Sequence, residues 1–188
     1  MLKTLSVIAG PNGAGKSTLA EYLLAEGIII NFINADVISI GIGNIPRSDI
    51  ESGRIMLERL EYAMSSGLNF SFETTLSGKI WKQVFERARK ADYRIKIFYM
   101  ALSSPNVGVQ RVSNRVALGG HHLPSNVIIR RYRRSLKQFR EVYSQLSHEW
   151  ALLDNSANSA KLVASSTDGC INILDPALYA LFMEDEIP

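Results

Sequence analysis

Cysteine is almost absent from this chain, in which Cys170 is the single one among 188 residues. An internal disulfide is therefore excluded, and the apolar run around Cys170 predicts a buried structural thiol rather than a catalytic one. The sequence also lacks any apolar run approaching the roughly 20 residues that a membrane-spanning helix needs. It enters its first apolar strand directly, without a signal-peptide pattern. Together these absences predict a cytoplasmic protein that does not associate with membranes.

A strong charge imbalance is missing as well. Lys and Arg number 21 against 18 Asp and Glu, which gives a net charge of +3. An excess this mild does not by itself indicate nucleic-acid binding. The chain is long enough to bury a full hydrophobic core in one domain, and no segment has the composition of a linker. We therefore expect a single domain over residues 1–188.

What the sequence does contain is a glycine-rich stretch between an apolar strand, residues 5–9, and a segment with helical spacing of leucines. It matches the pattern G-x-x-x-x-G-K-[ST] in full. Its residues are Gly10, Pro11, Asn12, Gly13, Ala14, Gly15, Lys16, Ser17 and Thr18. Glycines let the backbone approach a phosphate chain closely, and the following helix N-terminus favours the anion. The stretch predicts nucleotide binding, with Lys16 at the β- and γ-phosphates and the Ser17 hydroxyl on Mg²⁺.

Strand and helix patterns alternate along the rest of the chain. The predicted strands are 28–33, 69–74, 95–100 and 150–153, with short ones near 161–164 and 170–174. The predicted helices are 48–66, 78–91, 105–118, 124–147 and 176–184. This alternation predicts an α/β P-loop NTPase fold with a mainly parallel sheet of five or slightly more strands and helices on both faces. The glycine-rich loop, Asp36 and Glu73 all fall at strand ends, where such folds bind ligands.

The sequence of this loop is also typical of ABC-type ATPases, but other features of the chain argue against that class. Leu76-Ser77-Gly78 is followed by Lys79-Ile80, which is too short a match to the signature LSGGQ. An Asn-Lys-x-Asp guanine box is missing from the sequence too, so the nucleotide is expected to be ATP rather than GTP.

A small-molecule kinase fits the remaining residues. Such an enzyme needs a base at the acceptor hydroxyl and cations around the transferring phosphoryl group. Asp36 is placed to be that base, with capping of the next helix or turn as the alternative. Glu73 and Thr75 can hydrogen-bond the acceptor. For Glu73, holding a Mg²⁺-bound water is an equally weighted alternative.

Arginines at helical spacing supply the cations. Arg111 and Arg115 share one helix face, and Arg130 and Arg134 share another, with Arg131 beside them. The glycine turn between the two helices predicts a lid over roughly residues 111–134 that closes on ATP. The alternative is a solvated basic face, which we favour for Arg133 and Lys137. Since no cysteine or third histidine is near, His121 and His122 are expected to contact phosphate or substrate rather than a metal.

Together these residues resemble the zeta-toxin family of ATP-dependent kinases, in particular its short, stand-alone bacterial branch. The resemblance rests on the glycine-rich loop, Ile33-Asn34-Ala35-Asp36, Phe72-Glu73-Thr74-Thr75-Leu76, and the lid from Arg115 through Gly119-Gly120-His121-His122-Leu123-Pro124 to Tyr132. It implies transfer of the ATP γ-phosphate to a hydroxyl of UDP-N-acetylglucosamine. It also implies Asp36 as base, acceptor contacts from Glu73 and Thr75, and phosphate contacts from Arg111, Arg115, Arg130 and Arg131. Many members are toxins that a small antitoxin protein holds inactive.

Two departures from the family leave the acceptor open. The chain is shorter than the best-known zeta toxins, and its Gly119-Gly120-His121-His122 lid belongs to the short branch. A regulatory P-loop ATPase, in which Asp36 positions water, and a nucleic-acid kinase are the alternatives. Against the second, Tyr132 is the one aromatic residue interleaved with the lid arginines for base stacking.

Overall fold

The computed structural model describes residues 2–40, 49–119, 123–157 and 159–184. The strands are β1 (Lys3–Ala9), β2 (Phe32–Ile33), β3 (Phe70–Thr74), β4 (Tyr93–Ala101), β5 (Glu149–Asp154), β6 (Lys161–Thr167) and β7 (Cys170–Ile173). The helices are α1 (Lys16–Ala25), α2 (Ala35–Ile40), α3 (Asp49–Ser65), α4 (Ile80–Lys90), α5 (Pro105–Ala117), α6 (Ser125–Gln138), α7 (Ser144–Leu146) and α8 (Pro176–Met183), with a π-helical segment, Phe139–Tyr143, between α6 and α7.

Within the described ranges the strands form one seven-stranded sheet in the order β2-β3-β1-β4-β5-β6-β7. The pairs from β2 to β5 are parallel, whereas β6 and β7 run antiparallel to their neighbours. Ile8 lies opposite Glu73, and Ile33 lies opposite Phe72. Because parallel strands end at the same edge, this register brings the segments after β1, β2 and β3 side by side. The predicted α/β fold with a mainly parallel sheet is confirmed.

Helices cover both faces of the sheet, as predicted. A large core cluster packs the strand residues Val7, Phe72 and Ile97 against helix residues such as Leu60 and Phe85. A smaller cluster of Ile8, Ala20, Leu23 and Ile29 holds α1 against the other face. In the part of the chain that the structure describes, no helix combines the length and apolar character needed to cross a membrane.

The helix predicted over 124–147 is interrupted by the π-helical segment, although its apolar stripe is buried as expected. The stacked rings of Phe139 and Tyr99 lie 4.1 Å apart, and the Tyr99 hydroxyl hydrogen-bonds Ser135. Tyr132 donates to the Leu102 carbonyl at 2.8 Å. Burial, together with the charge of Asp154, raises the pKa of Tyr132 to about 12. These contacts fix α6 to β4, so that the predicted lid helix has a firmly packed inner face.

Two sequence predictions were wrong in detail. The strand predicted over 28–33 is limited to Phe32–Ile33, because the Ile28 and Ile29 amides donate to the Leu23 carbonyl and close the end of α1. Cys170 is exposed rather than buried, since β7 is a strand at the sheet edge whose four residues are all exposed. The apolar run around this cysteine therefore marks an edge strand.

His148, immediately before β5, joins β5 to β4 through its ring. Its Nδ1 accepts from the Ile95 amide at 3.0 Å, and its own amide donates to the Ile95 carbonyl. Burial lowers the pKa of His148 below its usual 6.5, helped by Arg89 and Arg94, while Asp168 and Glu149 act in the opposite direction. Protonating Nδ1 would remove the acceptor for Ile95.

We therefore predict that His148 makes the fold acid-sensitive. With a folded-state pKa below the unfolded value, the native chain binds fewer protons than the unfolded chain. The contribution of His148 to the free energy of unfolding is therefore fully present above about pH 6.5 and is lost as the pH falls from there through the lower folded-state pKa. In His148→Asn, whose Oδ1 can still accept from Ile95, this loss should disappear. Urea unfolding of both proteins between pH 7.5 and 5 measures it. Parallel stability curves for the two proteins would contradict the prediction.

Candidate functional site

The glycine-rich loop connects β1 to α1 by a path that side chains would block. At Gly10, where φ is +139°, a Cβ atom would lie 2.2 Å from the Met100 carbonyl oxygen. At Gly13, where φ is +78°, a Cβ would lie 2.8 Å from the carbonyl oxygen of Gly108 in α5. L-residues with side chains rarely adopt such φ values. The glycines thus let the loop lie against both β4 and α5.

Glu73, at the end of β3, lies beside the beginning of α1. Its carboxylate accepts from the Ser17 hydroxyl at 3.0 Å and lies 3.8 Å from Lys16 Nζ. The Asn34 side-chain amide donates to the same carboxylate at 3.3 Å. Lys16 Nζ also donates to the Pro11 carbonyl at 3.0 Å. The side chains of Lys16 and Glu73 are 8% and 11% exposed, so the two opposite charges are paired largely out of water.

Oxygen donors in this group suit a hard divalent cation. Mg²⁺ binds carboxylate, hydroxyl, water and phosphate oxygens and keeps several waters where protein ligands are few. Ser17 could ligate the ion directly, and Glu73 could bind the ion or one of its waters. Within the described residues no cluster of three or more His, Cys, Asp or Glu forms a self-sufficient metal site.

A cleft of about 330 Å³ opens above the loop. Its described lining consists of Asn12, Gly13, Gly15, Lys16, Ser17, Thr18, Glu73, Arg111, Val112 and Arg115. The Asn12 side-chain oxygen is buried and accepts no hydrogen bond among the described residues, which leaves an acceptor available to a bound group. The cleft brings together most of the loop, Glu73 and the first pair of predicted lid arginines. Thr75, Arg130 and Arg131 lie outside this lining.

Asp36 follows β2 as the second residue of α2. Its side chain is outside what the structure describes, but its backbone comes two residues after Asn34, which contacts Glu73. Thr75 follows β3 and shares a hydrogen bond of 2.8 Å with Ser77. His121 and His122, predicted to contact phosphate or substrate, lie outside the described residues. Of the arginines on α6, Arg130 is exposed and Arg131 is half-buried.

The backbone turns sharply immediately after Thr75. Leu76 has φ +53° although it is a fully buried leucine. Its amide donates to the Thr74 hydroxyl at 3.1 Å. Bulky residues in the left-handed region are strained and concentrate at functional sites. This turn therefore lies immediately beyond Glu73 and Thr75, where both residues were predicted to act.

Arg111 and Asn155 form contacts that sequence reasoning missed. The Arg111 guanidinium donates to the carbonyls of Asn155 at 2.7 Å and Ala157 at 2.9 Å, and it reaches those of Gly13 and Ser156 at 3.4 Å. Asn155 in turn donates to the Ala14 carbonyl at 2.9 Å. The position of Asn155 directly after β5 was a usable signal, because ligands bind at strand ends in this fold.

Solved structures share the architecture of this chain. The chain matches a chain of the AvrRxo1-ORF1:AvrRxo1-ORF2 complex crystallised with sulfate ions, with TM-score 0.76 and 14% identity over 99% of this chain and 66% of that one. It matches the PezAT toxin–antitoxin system of Streptococcus pneumoniae with TM-score 0.68 and 14% identity, over 99% and 81% of the two chains. A putative kinase from Chloroflexus aurantiacus matches with TM-score 0.54 and 19% identity, over 71% and 80%.

Comparison of the sequence assigns the chain to a family, which the fold alone does not do. The family model for Zeta toxin matches residues 48–168, and the chain belongs to this family. A protein of Haemophilus influenzae without an assigned function is 28% identical over 125 residues, which make up 65% of this chain and 88% of that protein. The predicted family membership is thus confirmed. The chain spans just under two thirds of the AvrRxo1 complex chain that it matches.

Helix α5 lies so close to the loop that an added methyl group should disturb the packing between them. A Cβ at Gly108 would lie 2.7 Å from the Asn12 carbonyl, whereas one at Gly53, in α3, would meet no atom within 4 Å. Gly108→Ala should therefore destabilise the fold by about 1–3 kcal/mol through overpacking. Gly53→Ala should stabilise it by about 0.5–1 kcal/mol, since alanine loses less entropy in a helix. Thermal unfolding of the two variants tests both signs, and a neutral Gly108→Ala would mean that α5 and the loop are not tightly packed.

Proposed function

We propose that this chain is an ATP-dependent kinase that transfers the γ-phosphate to a hydroxyl of a small-molecule acceptor. The observation that carries the proposal is the contact of Glu73 with both Lys16 and Ser17, at the edge where β1 and β3 end. Phosphate-binding loop, acidic group and cleft then share one location. Family membership supports the same reaction class, and UDP-N-acetylglucosamine is the first acceptor to test.

Different residues of the chain would have different roles in such a transfer. The loop amides and Lys16 would bind the phosphate oxygens, and Lys16 would exchange part of its contact with Glu73 for them. Asp36, beyond the neighbouring strand β2, would accept the proton of the acceptor hydroxyl as its oxygen bonds to the γ-phosphorus. ADP then leaves with the bridging oxygen. Mg²⁺, held by Ser17 with Glu73 beside it, would neutralise charge on the phosphates.

For Glu73 we favour the role at the cation over the role at the acceptor. Its carboxylate lies within hydrogen-bonding distance of the Ser17 hydroxyl, the group that follows the loop lysine and ligates Mg²⁺ in P-loop proteins. Thr75 is two residues further along, outside the described cleft lining, and remains the proposed acceptor contact. In this proposal Glu73 acts on the side of the nucleotide phosphates, and Thr75 acts on the side of the acceptor.

A protein partner also belongs to the proposal. One matched structure is described as a toxin–antitoxin system, and we propose that this chain is the toxin of such a pair. Arg111 and Arg115 in the cleft and Arg130 and Arg134 on α6 offer an antitoxin a positively charged surface, which acidic side chains would complement. ATP and nucleotide sugars are cytoplasmic metabolites, so we place the activity in the cytoplasm.

The reaction is tested by incubating the protein with ATP, Mg²⁺ and either UDP-N-acetylglucosamine or a metabolite extract, followed by mass spectrometry of the products. Lys16→Ala should lose ATP binding and its thermal stabilisation. Asp36→Asn should keep ATP binding and lose transfer by about 10²- to 10⁴-fold, because the amide cannot accept the proton. Expression in bacteria should slow growth for the wild type and for neither variant.

Different failures have different meanings in this experiment. ATP hydrolysis without any phosphorylated product would favour a regulatory ATPase, in which Asp36 positions water. Transfer by Asp36→Asn within a few-fold of the wild-type rate would assign Asp36 to helix capping. Unaltered melting of the wild type at millimolar ATP and Mg²⁺ would contradict the proposed function as a whole.

The predicted lid cations can be separated by their effects on turnover. Arg115 is exposed and lines the cleft, so Arg115→Ala should lower kcat by about 10²- to 10³-fold while unfolding stays close to that of the wild type. Arg115→Lys should restore little, since an ammonium cannot make the planar two-pronged contact. Arg131→Ala tests the second predicted cation, and Lys137→Ala serves as the control on the solvated face. Values of kcat equal to the wild-type value in all four variants would show that the arginines form only a solvated surface.

A further inference from the structure

Asn155 is fixed in place by three separate hydrogen bonds. Its side-chain amide donates to the Ala14 carbonyl at 2.9 Å, across a separation of 141 residues. Its own carbonyl accepts from Arg111 at 2.7 Å, and its backbone amide donates to the Ala101 carbonyl at 3.0 Å. The next residue is held as well, because the Ser156 hydroxyl accepts from the Ser103 amide at 2.7 Å. Asn155 is thus held in a defined position beside the ends of β4 and β5, and its side chain hydrogen-bonds the loop.

The bond to Ala14 determines the direction of the next amide in the loop. No peptide bond between described residues is cis, and in a planar trans peptide the carbonyl and the following N–H point in opposite directions. A carbonyl of Ala14 turned towards Asn155 therefore turns the Gly15 N–H away from it. Gly15 belongs to the cleft lining, and amides of such loops bind phosphate oxygens.

An external anchor matters here because the loop has little internal restraint. Gly13 and Gly15 have φ values of +78° and +89°, and glycine populates many other conformations at similar free energy. Within the loop, the Pro11 carbonyl accepts from the Ala14 amide at 3.3 Å and from Lys16 Nζ at 3.0 Å, and neither bond involves the Ala14 carbonyl or the Gly15 amide. Holding the loop in its binding shape before the ligand arrives lowers the ordering cost of binding.

We infer that Asn155, itself held by Arg111, is a positioning residue that keeps the Gly15 amide directed at the phosphates of the bound nucleotide. This inference rests on the proposed nucleotide-binding function and assigns Arg111 a role that acts through backbone carbonyls. A direct contact of Asn155 with the nucleobase is the competing explanation. The two differ in what they require of the ligand, since a phosphate chain without base or sugar senses only the loop.

The experiment measures dissociation constants for two probes, MgATP and inorganic tripolyphosphate with Mg²⁺, by isothermal titration calorimetry. Asn155→Ala removes the donor to Ala14 and should weaken both probes by the same factor, about ten-fold. Asn155→Asp should weaken both further, because a carboxylate oxygen would face the Ala14 carbonyl and repel the phosphates. Asn172→Asp, at an exposed position of β7, controls for the added charge and should change neither constant.

Each result decides between the explanations. Weaker MgATP binding with unchanged tripolyphosphate binding would assign Asn155 to the base and overturn the inference, as would wild-type constants for both probes. If circular dichroism shows that Asn155→Ala does not fold, Asn155→Ser, whose hydroxyl is too short to reach Ala14, carries the same comparison. A wild-type protein that binds neither probe would instead refute the proposed function, before any variant is considered.

Discussion

The Glu73 carboxylate is the interaction on which the candidate site depends. Three neighbouring strand ends meet at it, since Lys16 and Ser17 follow β1, Asn34 follows β2, and Glu73 is the next-to-last residue of β3. A carboxylate that is largely removed from water needs such partners, because removing them would leave a charge with neither solvent nor counterion. The contact therefore links the three strand ends, and it places the loop lysine beside the cleft. A ligand bearing phosphates has to compete with Glu73 for Lys16, or bring a cation that satisfies the carboxylate in its place.

Most of the fold could be predicted from local sequence because its signals are local. Hydrophobic periodicity located every strand and most helices, although it missed the short α2, and alternation of the two indicated a parallel sheet. The failures concern features that tertiary contacts decide. Ile28 to Ile30 have a strand's composition, but the turn at the end of α1 takes the Ile28 and Ile29 amides. Cys170 lies in an apolar run, yet the position of β7 at the sheet edge exposes it. Sequence patterns report the apolar character of a segment, and strand order decides whether that segment is covered.

In the candidate site, too, local sequence predicts some of the residues and tertiary packing decides the others. The loop is contiguous in sequence, and Glu73 lies at the end of a recognisable strand, so both could be predicted. Helical spacing placed Arg111 and Arg115 on one face of α5, and both line the cleft. Spacing could not show that Arg111 is already engaged with backbone carbonyls, nor that Arg131 lies outside that lining. Those outcomes depend on where α5 and α6 pack. The contact of Gly108 with the loop sets the position of α5, and the hydrogen bond of Tyr132 to Leu102, the residue after β4, sets that of α6.

The loop is therefore stabilised from two sides by contacts of different kinds. On the β3 side, charge pairing through Glu73 holds Lys16 and Ser17, and this contact changes when phosphates or a cation arrive. On the β5 side, hydrogen bonds from Asn155 and Arg111 reach the carbonyl oxygens of Ala14 and Gly13, which are acceptors that a phosphate oxygen does not bind. A glycine-rich loop gains its closeness to the ligand by giving up side-chain restraint. The restraint then has to come from outside the loop, and a contact that persists when the ligand binds is the kind that can supply it. This division explains why residues that keep the loop in shape lie more than ninety positions away from it, on elements that sequence motifs for phosphate binding do not include.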